Sequence, residues 1–215
     1  MEGQVAAFLS ARNECTRAQF KFNCEPSKIK AKLLYNYSVR CDNRNMQLRN
    51  LFAVDELCTR IAEWFTDRNS KCSLLIIGEV GTGKTTMLGA IRDFLLSAGK
   101  CNRMLKAMSL QEYFLDNDES FMNSILKGNW CDYLLLDDIG EEPIEVKSYG
   151  NSMFPYSRII SERYDRLLPV IVTSNLPLEE FKEVYGERTY DRMVEMFDCI
   201  AFTGDEKGNS FRQTN

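Results

Sequence analysis

Apolar residues recur along this chain with two different periods, and each period predicts a different kind of element. Short runs rich in apolar residues predict buried strands at residues 73–77, 103–108, 133–136, 170–173 and 199–202. Apolar residues that return every third or fourth position predict helices at residues 46–65, 85–98, 110–115, 120–126 and 157–167, and over most of 178–196. One or two further helices, divided at Pro26, precede them. Because strands alternate with helices, we expect an α/β fold whose parallel sheet carries helices on both faces.

The composition is typical of one substantial globular domain, because 44% of the 215 residues are hydrophobic and 27% are charged. No apolar run approaches the length of a membrane span, and no basic stretch precedes the short apolar patch at the amino terminus. The eight cysteines include no C-x-x-C pair, which favours reduced cysteines over zinc sites or disulfides. We therefore expect a cytoplasmic protein that makes no membrane contact.

The chain contains no histidine, so every catalytic scheme that needs an imidazole is excluded. Acid-base chemistry then falls to carboxylates and lysine. The net charge of -4 argues against coating nucleic acid through bulk charge, although a local basic groove stays open. Residues 1–34 carry an excess of lysine and arginine. One explanation is a solvated helix face, and the other is contact with an acidic partner or with nucleic acid.

A glycine-rich loop follows the first predicted strand at once, and a helix follows the loop. The segment matches G-x-x-x-x-G-K-[ST] in full, with Gly78, Glu79, Val80, Gly81, Thr82, Gly83, Lys84 and Thr85, and Thr86 comes next. Glycines allow backbone N–H groups to surround an anion at a helix N-terminus. Lys84 can then reach the β- and γ-phosphates, and the Thr85 hydroxyl can bind Mg²⁺. The pattern predicts an ATP and Mg²⁺ site; a glycine turn that binds nothing is the alternative.

Two adjacent carboxylates, Asp137 and Asp138, end the apolar run at residues 133–136. Like charges side by side repel and resist burial, so one interpretation is a solvated acidic turn. The other is a metal site, where Asp137 holds Mg²⁺ and Asp138 polarises the attacking water. The phosphate loop favours the second interpretation, because a metal ion supplies the charge that lets both carboxylates coexist.

Two later segments carry further candidate groups. Asn175 follows the strand at residues 170–173, where it can bind the γ-phosphate or the attacking water, or can cap the helix that begins near Leu178. Arg188 and Arg192 lie four residues apart on one face of a predicted helix. Solvated arginines are common on such faces, but a neighbouring subunit can also insert a guanidinium against a γ-phosphate.

Four blocks stand in a fixed order along the chain: GEVGTGKTT, YLLLDDIGEEP, RIISERYDRLLP running into VIVTSNL, and GERTYDRM. From about residue 34 to the end, they resemble the AAA+ core of DnaC/DnaI-type replicative helicase loaders and of the related IstB-type transposition ATPases. The resemblance implies a P-loop NTPase with a three-layer α/β/α fold, a five-stranded parallel sheet and no C-terminal helical lid. It also implies a short helical extension at residues 1–45 that binds a partner, before an AAA+ ATPase core at residues 46–215.

The resemblance assigns a role to each candidate residue. Lys84 and Thr85 are then Walker A, Asp137 and Asp138 are Walker B, Asn175 is sensor 1, and Arg192 is the arginine finger with Arg188 beside it. Many family members have glutamate where Asp138 stands, which leaves the rate of hydrolysis open. Arg212, near the end of the chain, is also placed close to the nucleotide.

The resemblance implies an ATP-dependent DNA replication factor, a DnaC-like helicase loader that hydrolyses ATP slowly and engages single-stranded DNA. Its partners are then a replicative helicase and a homo-oligomer that forms on ATP, DNA or the helicase. An IstB-like transposition helper with a transposase partner is an alternative. A small-molecule P-loop kinase is another, although no arginine-rich cluster lies between the phosphate loop and Asp137.

Contact with DNA is predicted from basic and aromatic residues between the two Walker motifs. Such residues track phosphates and stack on bases, and the candidates are Arg103, Lys106, Lys127, Tyr113, Phe114, Phe121 and Trp130. Aromatic residues at helical spacing are more often part of the core.

Overall fold

A computed structural model describes residues 20–46, 50–116, 119–129, 131–148 and 151–202. The predictions for residues 1–19, Trp130 and Arg212 lie outside these ranges. The predicted absence of a helical lid concerns residues after 202 and stays a prediction. Within the described ranges, no helix combines the length and the apolar content that crossing a membrane requires.

The chain alternates between helices and strands, as its hydrophobic pattern predicts. The helices are α1 (Pro26–Asp42), α2 (Leu51–Thr66), α3 (Lys84–Ser97), α4 (Leu110–Asp116), α5 (Glu119–Lys127), α6 (Pro155–Asp165), α7 (Glu180–Tyr185) and α8 (Glu187–Met196). The strands are β1 (Ser73–Ile77), β2 (Asn102–Lys106), β3 (Tyr133–Ile139), β4 (Val146–Ser148), β5 (Asn151–Met153), β6 (Val170–Ser174) and β7 (Phe197–Ala201). A 3₁₀ turn, Ala107–Ser109, joins β2 to α4.

Five strands form one parallel sheet in the order β2-β3-β6-β1-β7. This confirms the predicted five-stranded parallel sheet. β1 lies between β6 and β7, and its last residue, Ile77, pairs with Ser174 on one side and Ala201 on the other. The carboxyl ends of parallel strands face one edge of the sheet, so the loops after β1, β3 and β6 meet there.

The side chains of the central strands alternate between two apolar clusters, one on each face of the sheet. In β1, Leu74 and Ile76 join a cluster covered by α1, α2 and α3. Leu75 points the other way and joins a cluster covered by α4 to α8. Helices on both faces make the fold a three-layer α/β/α sandwich, as predicted.

Several local features differ from the sequence predictions. β3 continues through Ile139 instead of ending at Leu136, and its register with β6 shifts there while Asp138 takes a φ of 58°. The helix predicted over residues 178–196 is two helices, because Gly186 interrupts it with a φ of 80°. The antiparallel hairpin of β4 and β5 has no counterpart among the predictions, because strands of three residues are too short to show a period.

Helix α1 packs tightly on α3. Its buried Asn36 donates to the carbonyl of Ala90 at 3.1 Å, and Arg40 donates to both carboxylate oxygens of Asp93 at 2.7 and 2.8 Å. Gly89 leaves room for this arginine, because a Cβ there would lie 2.6 Å from its Cζ. The functional boundary between residues 45 and 46 stays a prediction, but residues 26–42 are packed as part of the core.

One fully buried charge, Arg163 in α6, joins three segments of backbone. Its guanidinium donates to the carbonyls of Ile125, Asp132 and Pro169 at 2.9, 3.1 and 2.9 Å. Burial lowers the pKa of Arg163 to about 10, so the group is still charged at neutral pH. The arginine therefore ties the end of α5 to the segments that lead into β3 and β6.

Candidate nucleotide site

The phosphate loop, residues 78–83, connects β1 to α3 at the carboxyl edge of the sheet. Glycine is required at its two ends for steric reasons. A Cβ on Gly78 would lie 2.3 Å from the carbonyl oxygen of Phe202, and a Cβ on Gly83 would lie 2.4 Å from the hydroxyl oxygen of Tyr37. Gly81 and Gly83 also have φ values of 87° and 95°, which favour glycine. The loop therefore has the tight curl that the motif predicts.

Lys84 begins α3 and is only 4% exposed. Its ammonium group donates to the carbonyls of Gly78 and Glu79 at 2.7 and 2.8 Å and to Oδ1 of Asn175 at 2.7 Å. The lysine thus joins the phosphate loop to the end of β6. Its charge and the positive end of the α3 dipole lie together, which favours an anion at this point.

A single threonine holds both predicted Walker B aspartates. The hydroxyl of Thr173 donates to Oδ1 of Asp137 at 2.8 Å and accepts from the backbone N–H of Asp138 at 3.0 Å. Thr173 is fully buried and Asp137 is 1% exposed. Asp137 is therefore enclosed at the end of the sheet, and the interpretation of a solvated acidic turn is wrong for this residue.

A cavity of about 70 Å³ lies beside the phosphate loop. It is lined by Arg44, Met46, Val80, Gly81, Gly83, Lys84, Thr85, Thr86, Asp138 and Asn175. Three predicted blocks thus meet around one space: the phosphate loop, the second aspartate and Asn175. Arg44 and Met46 were not among the candidates, because they lie in the turn after α1, far upstream of any motif.

The side chain of Asn175 points into the site and not to a helix end. Its Oδ1 accepts from Lys84, and its Nδ2 donates to Oε1 of Glu141 at 3.3 Å. Helix α7 begins five residues later, at Glu180, and has no side-chain cap. The capping alternative for Asn175 is therefore wrong.

A buried carboxylate, Glu142, fixes the turn that follows the two aspartates. Its Oε2 accepts from the backbone N–H of Gly140 at 2.8 Å, and its Oε1 accepts from the hydroxyl of Tyr185 at 2.6 Å. Burial, and then the nearby Glu142 charge, raise the pKa of Tyr185 far above that of a free tyrosine, so the phenol stays a donor. No sequence pattern pointed to Glu142, because acidic residues after a strand are common in turns.

Arg192, the predicted arginine finger, packs on α6 of its own chain. It hydrogen-bonds the hydroxyl of Ser161, lies 3.8 Å from Oδ1 of Asp165 and stands 5.4 Å from the ring centroid of Tyr164. Arg188 is exposed. Neither arginine is among the described residues that line the cavity.

The residues predicted to contact DNA fall into a buried and an accessible group. Phe114 is 3% exposed and belongs to the core. Phe121 stacks on Tyr113 with ring centroids 4.5 Å apart, and the guanidinium of Arg103 lies 5.2 Å from its centroid. Both lysines among the DNA-contact candidates, Lys106 and Lys127, are exposed.

The donor set at the cavity suits Mg²⁺ shared with phosphates. The described residues contain no group of three or more cysteines or carboxylates that would bind a metal alone. Mg²⁺ prefers hard oxygen ligands and usually keeps several waters while it binds one or two protein groups and phosphate oxygens. The hydroxyl of Thr85, which lines the cavity, fits that requirement. The carboxylate of Asp137 offers the same hard oxygens, but it is buried at the end of β3 and does not line the cavity.

Comparison with known proteins places this chain among ATP-binding proteins. A family model described as IstB-like ATP binding protein matches residues 32–215. The replicative helicase loader DnaC of Escherichia coli strain K12 is 25% identical, over 74% of this chain and 61% of the relative. The chain thus spans less than two thirds of the length of the curated relatives it matches.

Three solved structures share the fold. A crystal structure of the DnaC helicase loader has a TM-score of 0.55 at 19% identity, and covers 73% of this chain and 93% of that chain. A crystal structure of DnaI has a TM-score of 0.57 at 21% identity, with 77% and 88% covered. AMPPCP-bound DnaA from Aquifex aeolicus has a TM-score of 0.52 at 19% identity, with 68% and 46% covered.

Proposed function

Because the chain belongs to the family of IstB-like ATP-binding proteins, we propose that it is an ATP-hydrolysing DNA replication factor of the helicase-loader type. The observation that carries the proposal is the meeting of Lys84, Asp138 and Asn175 around one cavity at the phosphate loop. We propose that the partner is a replicative helicase, and the similarity to a relative named as a replicative helicase loader supports this assignment. Hydrolysis is proposed to be slow alone and faster with single-stranded DNA or with the partner.

In the proposed reaction, the phosphate loop binds the triphosphate of ATP. Residues 78–86 supply backbone N–H groups, and Lys84 releases its loop carbonyls to bind the β- and γ-phosphates. Thr85 and Asp137 would hold Mg²⁺, which supplies positive charge beside the phosphates. Asp138 accepts a hydrogen bond from the attacking water and orients it.

Asn175 lies between Lys84 and Glu141, where it can donate its amide to the γ-phosphate or to the water. We propose that Arg192, with Arg188 beside it, completes the site of a neighbouring subunit in a homo-oligomer. That role requires Arg192 to exchange Ser161 for a phosphate. The proposed setting is the cytoplasm, which is supported by the free thiols of Cys41, Cys58 and Cys131 in the core.

The IstB-like name of the matching family favours a second candidate, a transposition helper with a transposase partner. Both candidates use the same ATP site, so chemistry at that site cannot separate them. Capture of this protein on a purified helicase or on a purified transposase separates the two candidates. A small-molecule kinase would instead transfer phosphate to an acceptor, and release of free phosphate counts against it.

The experiment is steady-state release of phosphate from ATP with Mg²⁺, with and without single-stranded DNA. Lys84→Ala serves as the blank, because it removes the ammonium group from the site. Turnover that rises with DNA supports the proposal. No turnover above the Lys84→Ala blank under any condition would refute it. Arg192→Ala should match the wild-type protein when dilute and fall behind as concentration rises, since its arginine acts in another subunit.

A further inference from the structure

The cavity has one wall that none of the motifs supplies. Arg44 and Met46 line it from the turn after α1. Nη1 of Arg44 lies 3.5 Å from the hydroxyl oxygen of Thr86, the residue after the proposed metal ligand Thr85. A cation from the turn after α1 therefore stands over the start of α3.

The turn that carries Arg44 is fixed to α1 by backbone hydrogen bonds. The N–H groups of Arg44 and Met46 both donate to the carbonyl of Cys41 at 3.0 Å, and the N–H of Asn45 donates to Asp42 at 3.0 Å. Asn45 has a φ of 52°, a conformation that asparagine tolerates well. These hydrogen bonds hold the backbone of Arg44 against the end of α1.

Helix α1 is in turn fixed to α3, which begins in the phosphate loop. The Arg40–Asp93 pair and the Asn36–Ala90 hydrogen bond described above hold the two helices together. The hydroxyl of Tyr37 also faces Gly83 at the end of the loop. The packing of the core therefore holds the backbone that carries Arg44 beside the phosphate loop, and the Arg44 side chain itself is exposed.

The charges around the cavity favour an anion beside Arg44. Among the described residues, Arg44 forms no ion pair with a carboxylate. The other charged lining groups are Lys84 and Asp138. A guanidinium presents a planar fork of N–H donors that matches phosphate oxygens.

We propose that Arg44 binds the nucleotide in its own subunit, through a phosphate that ATP and ADP share. Successive residues of a helix point about 100° apart, so Thr86 and Arg44 lie on a different side of α3 from Thr85. The γ-phosphate belongs on the Thr85 side, with the metal and the attacking water. This inference rests on the proposed ATP site and adds a recognition residue to it.

The test is the dissociation constant for ATP and for ADP, measured by titration calorimetry on Arg44→Met. The control is Arg92→Met, which removes an exposed arginine of α3 that does not line the cavity. We expect Arg44→Met to weaken both nucleotides about 10-fold or more, the cost of one charge-assisted hydrogen bond. Arg92→Met should bind as the wild-type protein does, and Arg44→Lys should recover part of the affinity.

Two results would overturn the inference while leaving the ATP site intact. Equal affinities for Arg44→Met and the wild-type protein would show that the arginine does not touch the nucleotide. Weakening of ATP alone would place it at the γ-phosphate. A wild-type protein that bound neither nucleotide would instead overturn the proposed function, and this inference with it.

Discussion

Replacing Thr173 by valine removes the hydroxyl that holds both aspartates while it preserves the shape of the side chain. The change deletes the 2.8 Å bond to Asp137 and the 3.0 Å bond from the N–H of Asp138. Because Thr173 is fully buried, water does not replace the lost hydroxyl. The buried Asp137 carboxylate is left with one fewer donor.

The size of the effect follows from these two bonds. A hydrogen bond to a charged group contributes about 1.5–3 kcal/mol and a neutral one about 0.5–1.5 kcal/mol. We therefore expect the free energy of unfolding to fall by about 2–4 kcal/mol, which lowers Tm by roughly 4–16 °C in a domain of this size. ATP hydrolysis should also fall by about 10- to 100-fold, because both aspartates lose their shared anchor.

Urea denaturation followed by circular dichroism measures the stability, and phosphate release measures the turnover. Thr173→Ser is the matched control, since it keeps the hydroxyl and loses only a methyl group. The reasoning fails if Thr173→Val loses less than about 1 kcal/mol of stability. It also fails if the serine variant is as defective as the valine variant.

Two further substitutions test other parts of the structure. Gly83→Ala should lose at least about tenfold in ATP affinity, because its Cβ would meet the Tyr37 hydroxyl at 2.4 Å. Gly99→Ala is the control, because Gly99 also has a positive φ, 70°, but a Cβ there would meet no atom within 4 Å. Normal ATP affinity in Gly83→Ala would contradict the steric argument. Arg163→Met should lower the free energy of unfolding in urea by about 3–5 kcal/mol, because three carbonyls lose their donor, two of them in buried hydrogen bonds, at about 1–3 kcal/mol each. Arg166→Met removes only the solvent-accessible ion pair with Glu162 and should cost less than about 1 kcal/mol. Equal losses in the two arginine variants would show that the buried hydrogen bonds of Arg163 do not stabilise the fold.

The sequence alone predicted the sheet best where the strands are buried on both faces. Every residue of β1 after Ser73 is apolar and Gly78 follows at once, so its bounds were predicted without error. The same reasoning placed the aspartates at the end of an apolar run. Sequence reasoning did not predict that β3 continues through both aspartates to Ile139. That continuation depends on the buried Thr173, which lies in another strand and donates to Asp137.

Other features were beyond sequence reasoning because they depend on contacts between distant segments. Arg44 lies in a polar turn after α1, and only the packing of α1 on α3 brings it to the cavity. Arg163 looks like a solvated residue of the helix SRIISERYDRL, yet its guanidinium is buried against carbonyls of three segments. Neither position has a local signal.

The position of β1 in the sheet has a consequence for how the chain folds during synthesis. Both neighbours of β1 come roughly a hundred residues later in the chain, so its pairing has high contact order. During synthesis from the amino terminus, the apolar segment SLLII is made long before β6 and β7 can cover its edges. Until then it is an exposed edge of the kind that promotes aggregation of nascent chains. The phosphate loop contacts the end of β6 and Phe202, so it takes its final shape only after both segments have been synthesised.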